Sequence, residues 1–349
     1  MELLEALVVL FLCAVALGWA ARQMRVPYPI MLVLGGVLLG FIPGLPQVPL
    51  DPSLILSIVL LPVLYQAALF TSWRDFRRHL RAISSLAIGL VLVTTLAVAV
   101  TVHFLIPTLP WAAAFALGAI ISPPDAVAAT AVLSRFKLSK RVVTILEGES
   151  LVNDASGLVL YKFAVAAAVT GTFSVLETAG GSVYMAAAGL GLGYAMGRAF
   201  VAIHKRLRDP QTQIMLSIAL PYAAYLLAET LHLSGVLAVV AAGLVRGRHA
   251  PEVLSAQSRL LGYAVWNIIV FFINALVFMT IGLQLPGVLA RLSGYPPGQL
   301  ARFALAVSGV AILVRLSWVF PAAYLPRRLN RHIRETEPRL AWQNVIIVG

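Results

Sequence analysis

Long runs of apolar residues, separated by short polar stretches, dominate the 349-residue chain. A run of about 20 apolar residues can cross a bilayer as a helix. The pattern therefore predicts an all-α polytopic membrane protein with about 11 complete transmembrane helices, followed by the start of a twelfth at "AWQNVIIVG". The predicted segments are roughly 2–21, 29–42, 53–71, 82–106, 111–134, 142–170, 181–203, 211–230, 233–246, 257–285 and 302–325.

Composition agrees with this pattern, because 60% of the residues are hydrophobic and 11% are charged, against about 25% charged residues in a soluble domain. The net charge of +12 does not indicate a nucleic-acid partner, since the basic residues lie between apolar runs. Most of the 26 Lys and Arg residues lie in or beside the loops after odd-numbered segments. This distribution predicts a multi-pass protein of the cell (inner) membrane, with the N-terminus outside and the loop after the eleventh helix in the cytoplasm.

Two adjacent prolines interrupt the fifth segment, in "ISPPDAVAAT". Each lacks a backbone N–H and disfavours helix at the preceding residue, so we expect this helix to break at 122–125 and to restart near Asp125. A break at membrane depth is tolerated where it is buried in protein or lines a cavity. The unwound backbone also exposes carbonyl groups that can bind a cation.

Carboxylates surrounded by apolar sequence distinguish the sixth segment, in "EGESLVNDASGLVL". A carboxylate inside a bilayer is costly and is therefore a functional candidate. Asp154 lies about 18 Å into the segment, near the bilayer midplane. Ser150 and Asp154 share one helix face, and Glu149 and Asn153 share another. Together with Asp125 of the neighbouring helix, these residues can form a small oxygen-lined site for a monovalent cation.

The motifs "SPPDAVAATAV" and "EGESLVNDASGLVL" closely resemble the signatures of the bacterial NhaP-type and animal NHE-type sodium/proton exchangers. "SGVLAVVAAGLV" and "NALVFMTIGLQL" resemble later segments of the same family. The resemblance extends in order over the whole chain, 1–349, as one transmembrane domain. It implies an inverted-repeat antiporter fold in which 1–71 and 181–285 form a dimerisation part, and 82–171 and 302–349 form a core transport part. The resemblance further implies that two helices would complete the fold after residue 349.

The resemblance also implies roles for individual residues. Asp154 is expected to carry a proton and a cation alternately, and Asp125 to support the site. Ser150 is expected to be a ligand, Asn153 to form the family's Asn-Asp pair with Asp154, and Pro124 to offer its carbonyl where relatives have threonine. The transported cation is expected to be Na⁺, with Li⁺ or K⁺ as alternatives.

Three further positions complete the set implied by the resemblance. Glu149 and Arg315 correspond to a buried ion pair that supports the site. Gln66 stands where many relatives have an acid, which leaves the cation preference open. The implied function is electroneutral exchange of a cation for H⁺ by alternating access, in pH and sodium homeostasis, by a homodimer in the lipid bilayer.

Three alternative functions differ from this interpretation in the features that they require. A K⁺-selective antiporter would share the same motifs. A cation channel would need a continuous pore lined by filter carbonyls or charged rings. An intramembrane aspartyl protease would need a Gly-x-Gly-Asp pattern, which the sequence lacks. The sequence contains no GxGxxG, Walker or HExxH motif either, so no cofactor and no resident metal are predicted.

Overall fold

The fold is known from a computed structural model that describes residues 2–42, 56–125, 139–170, 175–207, 209–292, 294–329 and 342–348. These residues form helices joined by short turns, which confirms the all-α prediction. The helices are α1 (Glu2–Gln23), α2 (Tyr28–Gly40), α3 (Leu61–Phe70), α4 (Trp73–Ser84), α5 (Val91–Leu105), α6 (Trp111–Ile121), α7 (Lys140–Thr170), α8 (Val175–His204), α9 (Pro210–Thr230), α10 (Gly235–Val253), α11 (Ala256–Arg291), α12 (Pro297–Leu329) and α13 (Trp342–Val348).

Five helical stretches within the described residues are long and apolar enough to cross a membrane, by length and composition. Four shorter apolar helices accompany them, and α13 lies where the twelfth segment was expected to begin. Large apolar side chains such as Leu305 and Leu313 are exposed on α12, as a lipid-facing surface requires. The chain is therefore a multi-pass membrane protein. The five stretches are Trp73–Leu105, Lys140–Val169, Val183–His204, Ala256–Arg291 and Pro297–Pro326.

The described helices cluster into two compact units. Unit 1 contains α1, α2, α3, the part of α8 from residue 188 onward, α9, α10 and α11. Unit 2 contains α4, α5, α6, α7, the first part of α8, α12 and α13. Within the described residues, the chain passes between the units at residues 70/71, 187/188 and 295/296. The scaffold and transport roles implied for these parts stay predictions.

Unit 1 is held together by close helix contacts at small residues. Its main apolar cluster joins α3, α9, α10 and α11 around Tyr65 and Trp266, whose ring centroids are 5.1 Å apart. A Cβ at Gly36 of α2 would collide with the carbonyl of Met279 of α11, and one at Gly193 of α8 with the carbonyl of Ala238 of α10. These helices therefore approach backbone to backbone, as small residues at membrane helix interfaces allow.

Unit 2 has its core between α5, α6 and α7. Val98, Ala99 and Val102 of α5 pack with Ala114 of α6. The basic stretch at the start of this unit forms α4, which a π-helical turn (Ser85–Leu90) joins directly to α5, so that helix continues from Trp73 to Leu105. The arginine-rich helix is thus an extension of the fourth segment, and the sequence alone did not predict this continuity.

Candidate functional site

The site begins where α6 ends, at the two prolines. Helix α6 stops at Ile121, and residues 122–125 are not helical, as the Pro123–Pro124 pair predicts. Ser122 secures this end, because its hydroxyl donates to the carbonyl of Ala119 (3.3 Å) and accepts from Thr95 Oγ1 of α5 (3.1 Å). The restart of the helix near Asp125 was predicted for residues that lie outside the described part of the chain.

Helix α7 binds the broken end through one carbonyl group. Asn153 Nδ2 donates to the carbonyl oxygen of Pro124 at 3.2 Å, and Ser150 Oγ donates to the same oxygen at 3.5 Å. Helical spacing predicts that Ser150 and Asn153 lie on different faces of the helix. They meet at one acceptor because residues i and i+3 are neighbours on a helix surface. The structure thereby places three of the predicted site residues in direct contact.

Asn153 leaves a buried oxygen available at this point. Its side chain is fully buried, and because the amide nitrogen donates to Pro124, the amide oxygen Oδ1 faces elsewhere. Within the described residues this oxygen has no hydrogen-bond partner. A buried acceptor without a donor is costly. A cation or a protonated group beside it would remove that cost.

The two candidate aspartates each follow a residue of this contact. Asp154 follows Asn153 in α7 and is half-buried, whereas Asp125 ends the broken segment and is exposed. Asp125 follows Pro124, and Asp154 follows Asn153, so each carboxyl group is next in the chain to a member of the Asn153–Pro124 hydrogen bond. Two carboxylates, a carbonyl and a side-chain amide oxygen are the hard oxygen ligands that a small monovalent or divalent cation prefers.

Gly157, which is not among the predicted site residues, permits this arrangement. Gly157 lies one turn after Asn153, and a Cβ there would collide with the ring of Pro123 and come within 3.2 Å of the carbonyl of Ala119. The break in α6 can therefore rest directly on α7 only because residue 157 has no side chain. The signal was present in the motif, as a glycine at i+4 from a polar site residue, but its partner could not be inferred from spacing.

Glu149 and Arg315 form the ion pair implied by the resemblance. Arg315 Nη1 donates to Glu149 Oε1 at 2.7 Å and Nη2 donates to Oε2 at 3.1 Å, a bidentate geometry. Glu149 is 2% exposed. Arg315 Nη2 also donates to the carbonyl of Val348 at 2.8 Å. One guanidinium group therefore links α7, α12 and α13 on the side of α7 that carries Glu149.

Gln66 belongs to unit 1, whereas the other candidate residues belong to unit 2. Its amide nitrogen Nε2 donates to Asn267 Oδ1 of α11 at 3.3 Å. A neutral amide thus occupies this position of α3 and contacts another neutral amide.

Comparison with known proteins identifies relatives of this chain. The family model described as "Sodium/hydrogen exchanger, transmembrane" matches residues 7–349. An uncharacterized Na⁺/H⁺ exchanger of Mycobacterium tuberculosis is 36% identical over 333 residues, which cover 94% of this chain and 60% of the relative. A "sodium, potassium, lithium and rubidium/H⁺ antiporter" of Bacillus pumilus is 37% identical over 306 residues, which cover 84% of this chain and 46% of the relative.

A solved structure has the same fold. The sodium/proton antiporter MjNhaP1 of Methanocaldococcus jannaschii superposes with a TM-score of 0.70 over 100% of this chain and 84% of its own, at 18% sequence identity. The predicted antiporter fold is thereby confirmed. The chain spans about half the length of the curated relatives that it matches.

Proposed function

Since this chain belongs to the sodium/hydrogen exchanger family, we propose that it exchanges a monovalent cation for H⁺ across the membrane by secondary active antiport. The observation that carries the proposal is the oxygen cluster at the helix break. There the unpartnered Oδ1 of Asn153 and the Pro124 carbonyl belong to residues that Asp154 and Asp125 directly follow in the chain. No cofactor is needed for this function.

In the proposed mechanism Asp154 holds either a proton or the cation. Removing a carboxyl group from water favours its protonated form, and a bound cation favours the ionised form. Each ligand therefore expels the other. Asp125 supports the bound cation with its charge, while Ser150, Asn153 and Pro124 hold the polar lining in place.

Alternating access would come from motion of the transport part against a scaffold. We assign the transport role to unit 2, because it contains Asp125, Asp154, Glu149 and Arg315, and the scaffold role to unit 1. Rigid-body motion of one part around a fixed site is how transporters with repeated halves expose a site to each side in turn. The homodimer, the inner-membrane location and the outside N-terminus belong to the same proposal.

Sodium is the proposed main cation, and K⁺ is a second candidate. Two observations favour including K⁺: residue 66 is a neutral glutamine, and the Bacillus pumilus relative is named for sodium, potassium, lithium and rubidium. A panel of Na⁺, Li⁺ and K⁺ gradients applied to the same vesicles would rank them.

The decisive variant is Asp154→Asn in the full-length protein. The change keeps the size of the side chain and removes the only group that can exchange a proton for a cation in this mechanism. We expect cation-driven proton flux in proteoliposomes to fall to the level of protein-free vesicles, while insertion and melting temperature stay close to wild type. Ser156→Ala is the matched control, because the Ser156 hydroxyl donates within α7 to the carbonyl of Val152 (3.1 Å). Exchange by Asp154→Asn at near wild-type rate would refute the proposed role.

A further inference from the structure

A cavity of about 390 Å³ opens within unit 1, at one end of helices α3, α9, α10 and α11. Most of its wall is apolar or aromatic, including Phe70 and Tyr263, whose rings stack with centroids 4.3 Å apart. Only two of the residues that line it carry a charge, Arg246 of α10 and Arg259 of α11, and both charges are positive. No aspartate or glutamate is among the described residues that line the cavity.

Neither arginine is neutralised by an acid within the described residues. Arg246 is 7% exposed, and its Nε has no hydrogen-bond partner there. Its Nη2 lies 3.4 Å from Nε2 of His204, a neutral or cationic neighbour. Arg259 likewise has a buried Nε without a partner among those residues. A buried charge without a counter-charge is strongly unfavourable, so the site as it stands is incomplete.

Other features of the cavity also suit an anion. The N-terminal turn of α11 contributes Ala256 and Ser258 to the wall, and a helix N-terminus carries partial positive charge. Arginine binds phosphate well because its planar fork can donate two parallel hydrogen bonds.

We propose that this cavity binds a phosphate-bearing anion, with Arg246 and Arg259 donating to the phosphate oxygens and the aromatic wall contacting the rest of the ligand. The ligand is distinct from the transported ions, because two arginines, with no acid among the described residues of the wall, select against a cation. The same chemistry is available from the headgroup of an anionic phospholipid and from a soluble phosphate. Binding to this cavity does not depend on whether the carboxylate cluster of unit 2 transports ions.

The test measures the melting temperature of the full-length protein in two arms. In the first arm, detergent-solubilised protein is titrated with inorganic phosphate at an ionic strength held constant with chloride. In the second arm, nanodiscs of phosphatidylcholine are compared with nanodiscs that also contain phosphatidylglycerol. A ligand that binds the folded state raises the melting temperature with its concentration. A rise in the first arm identifies a soluble source, and a rise in the second arm alone identifies a lipid.

Three variants assign the effect to the cavity. Arg246→Gln and Arg259→Gln should each weaken the apparent affinity about tenfold or more, as expected for the loss of a charge-assisted hydrogen bond. Arg248→Gln is the control, because Arg248 lies in the same helix but is exposed and does not line the cavity. If Arg246→Gln fails to fold, Arg259→Gln decides. No rise in either arm, or equal rises in Arg259→Gln and wild type, would overturn the proposal.

Discussion

The helix break of unit 2 and the cavity of unit 1 each bury polar atoms without hydrogen-bond partners among the described residues, but the charged side chains at the two places differ. At the helix break of unit 2 the unpartnered atom is an acceptor, Asn153 Oδ1, and Asp154 is the next residue in the chain. At the cavity of unit 1 the unpartnered atoms are the Nε donors of Arg246 and Arg259 and the acceptor Oε1 of Gln213, and none of the described residues that line the cavity is an acid. An acceptor is completed by a cation or a proton, and a donor by an anion. The charge of the side chains beside these unpartnered atoms therefore predicts the charge of the ligand.

The same contrast between the two units holds for one arginine in each. Arg315 of unit 2 makes two short hydrogen bonds to Glu149, and a third to the carbonyl of Val348. Arg246 of unit 1 contacts a histidine and no acid. A paired arginine fixes the geometry of the helices that it links. An arginine that lacks an acid leaves its charge to be balanced by something outside the protein.

The largest expected effect comes from breaking the paired arginine. Glu149→Gln or Arg315→Met alone leaves one charge buried without its partner, which costs roughly 3–5 kcal/mol of unfolding free energy. The double variant should lose less than either single change. By contrast, Arg246→Met in phosphate-free zwitterionic detergent should not lower stability, because no acid loses its partner. Melting curves of the four variants in detergent test this, and additive losses for the first pair would show that Glu149 and Arg315 do not stabilise each other.

A second prediction contrasts close packing with open space within unit 2. Gly157→Ala places a methyl group against the Pro123 ring, and overpacking of this kind costs roughly 1–3 kcal/mol. Gly309→Ala of α12 is the control, because a Cβ there meets nothing within 4 Å, and replacing a helical glycine should stabilise by up to about 1 kcal/mol. The two substitutions should therefore shift the melting temperature in opposite directions. A rise for both would mean that the helix break does not need residue 157 to be a glycine.

The sequence predicted the position of the helix break but not its contacts. Two consecutive prolines end α6, whereas single prolines at 221, 251 and 286 lie inside continuous helices. A lone proline removes one helical hydrogen bond, which the surrounding helices can tolerate in a membrane protein, and two in succession remove adjacent bonds. The end of a helix at two consecutive prolines can therefore be predicted from the sequence.

Contacts between residues that are distant in the chain could not be predicted in the same way. The Asn153–Pro124 hydrogen bond joins residues 29 positions apart, and nothing in the local pattern of α7 identifies its partner. The cavity around Arg246 and Arg259 is harder still, because its wall comes from four helices. In sequence these arginines counted only as positive charges that orient the chain. Their burial, and the absence of acids around them, emerge only when the helices are assembled.

A third prediction concerns Asn153, whose Oδ1 is the acceptor without a hydrogen-bond partner among the described residues. Asn153→Ala removes Oδ1 from the proposed cation site and also removes the donor to the Pro124 carbonyl. Losing one ligand and one hydrogen bond should raise the cation concentration for half-maximal exchange about tenfold. Ser150→Ala, which loses only the longer hydrogen bond to the same carbonyl, should have a smaller effect. Proton flux measured against Na⁺ concentration tests the order, and an unchanged Asn153→Ala variant would remove this residue from the site.

The smallest expected effect concerns membrane voltage, where the proposed mechanism predicts no shift at all. Asp154 exchanges one proton for one monovalent cation, so each cycle moves no net charge. The neighbouring residues add none, because Asn153 is neutral and Glu149 is held by two hydrogen bonds from Arg315. Gln66 of unit 1 is neutral as well. In vesicles clamped with potassium and valinomycin, the sodium gradient that just cancels a fixed pH gradient should be the same at every clamped voltage. Arg246→Gln should share this null point, because its cavity takes no part in the exchange. A null point that moves with voltage would require a second titrating group, and Asp125 is the first residue to test.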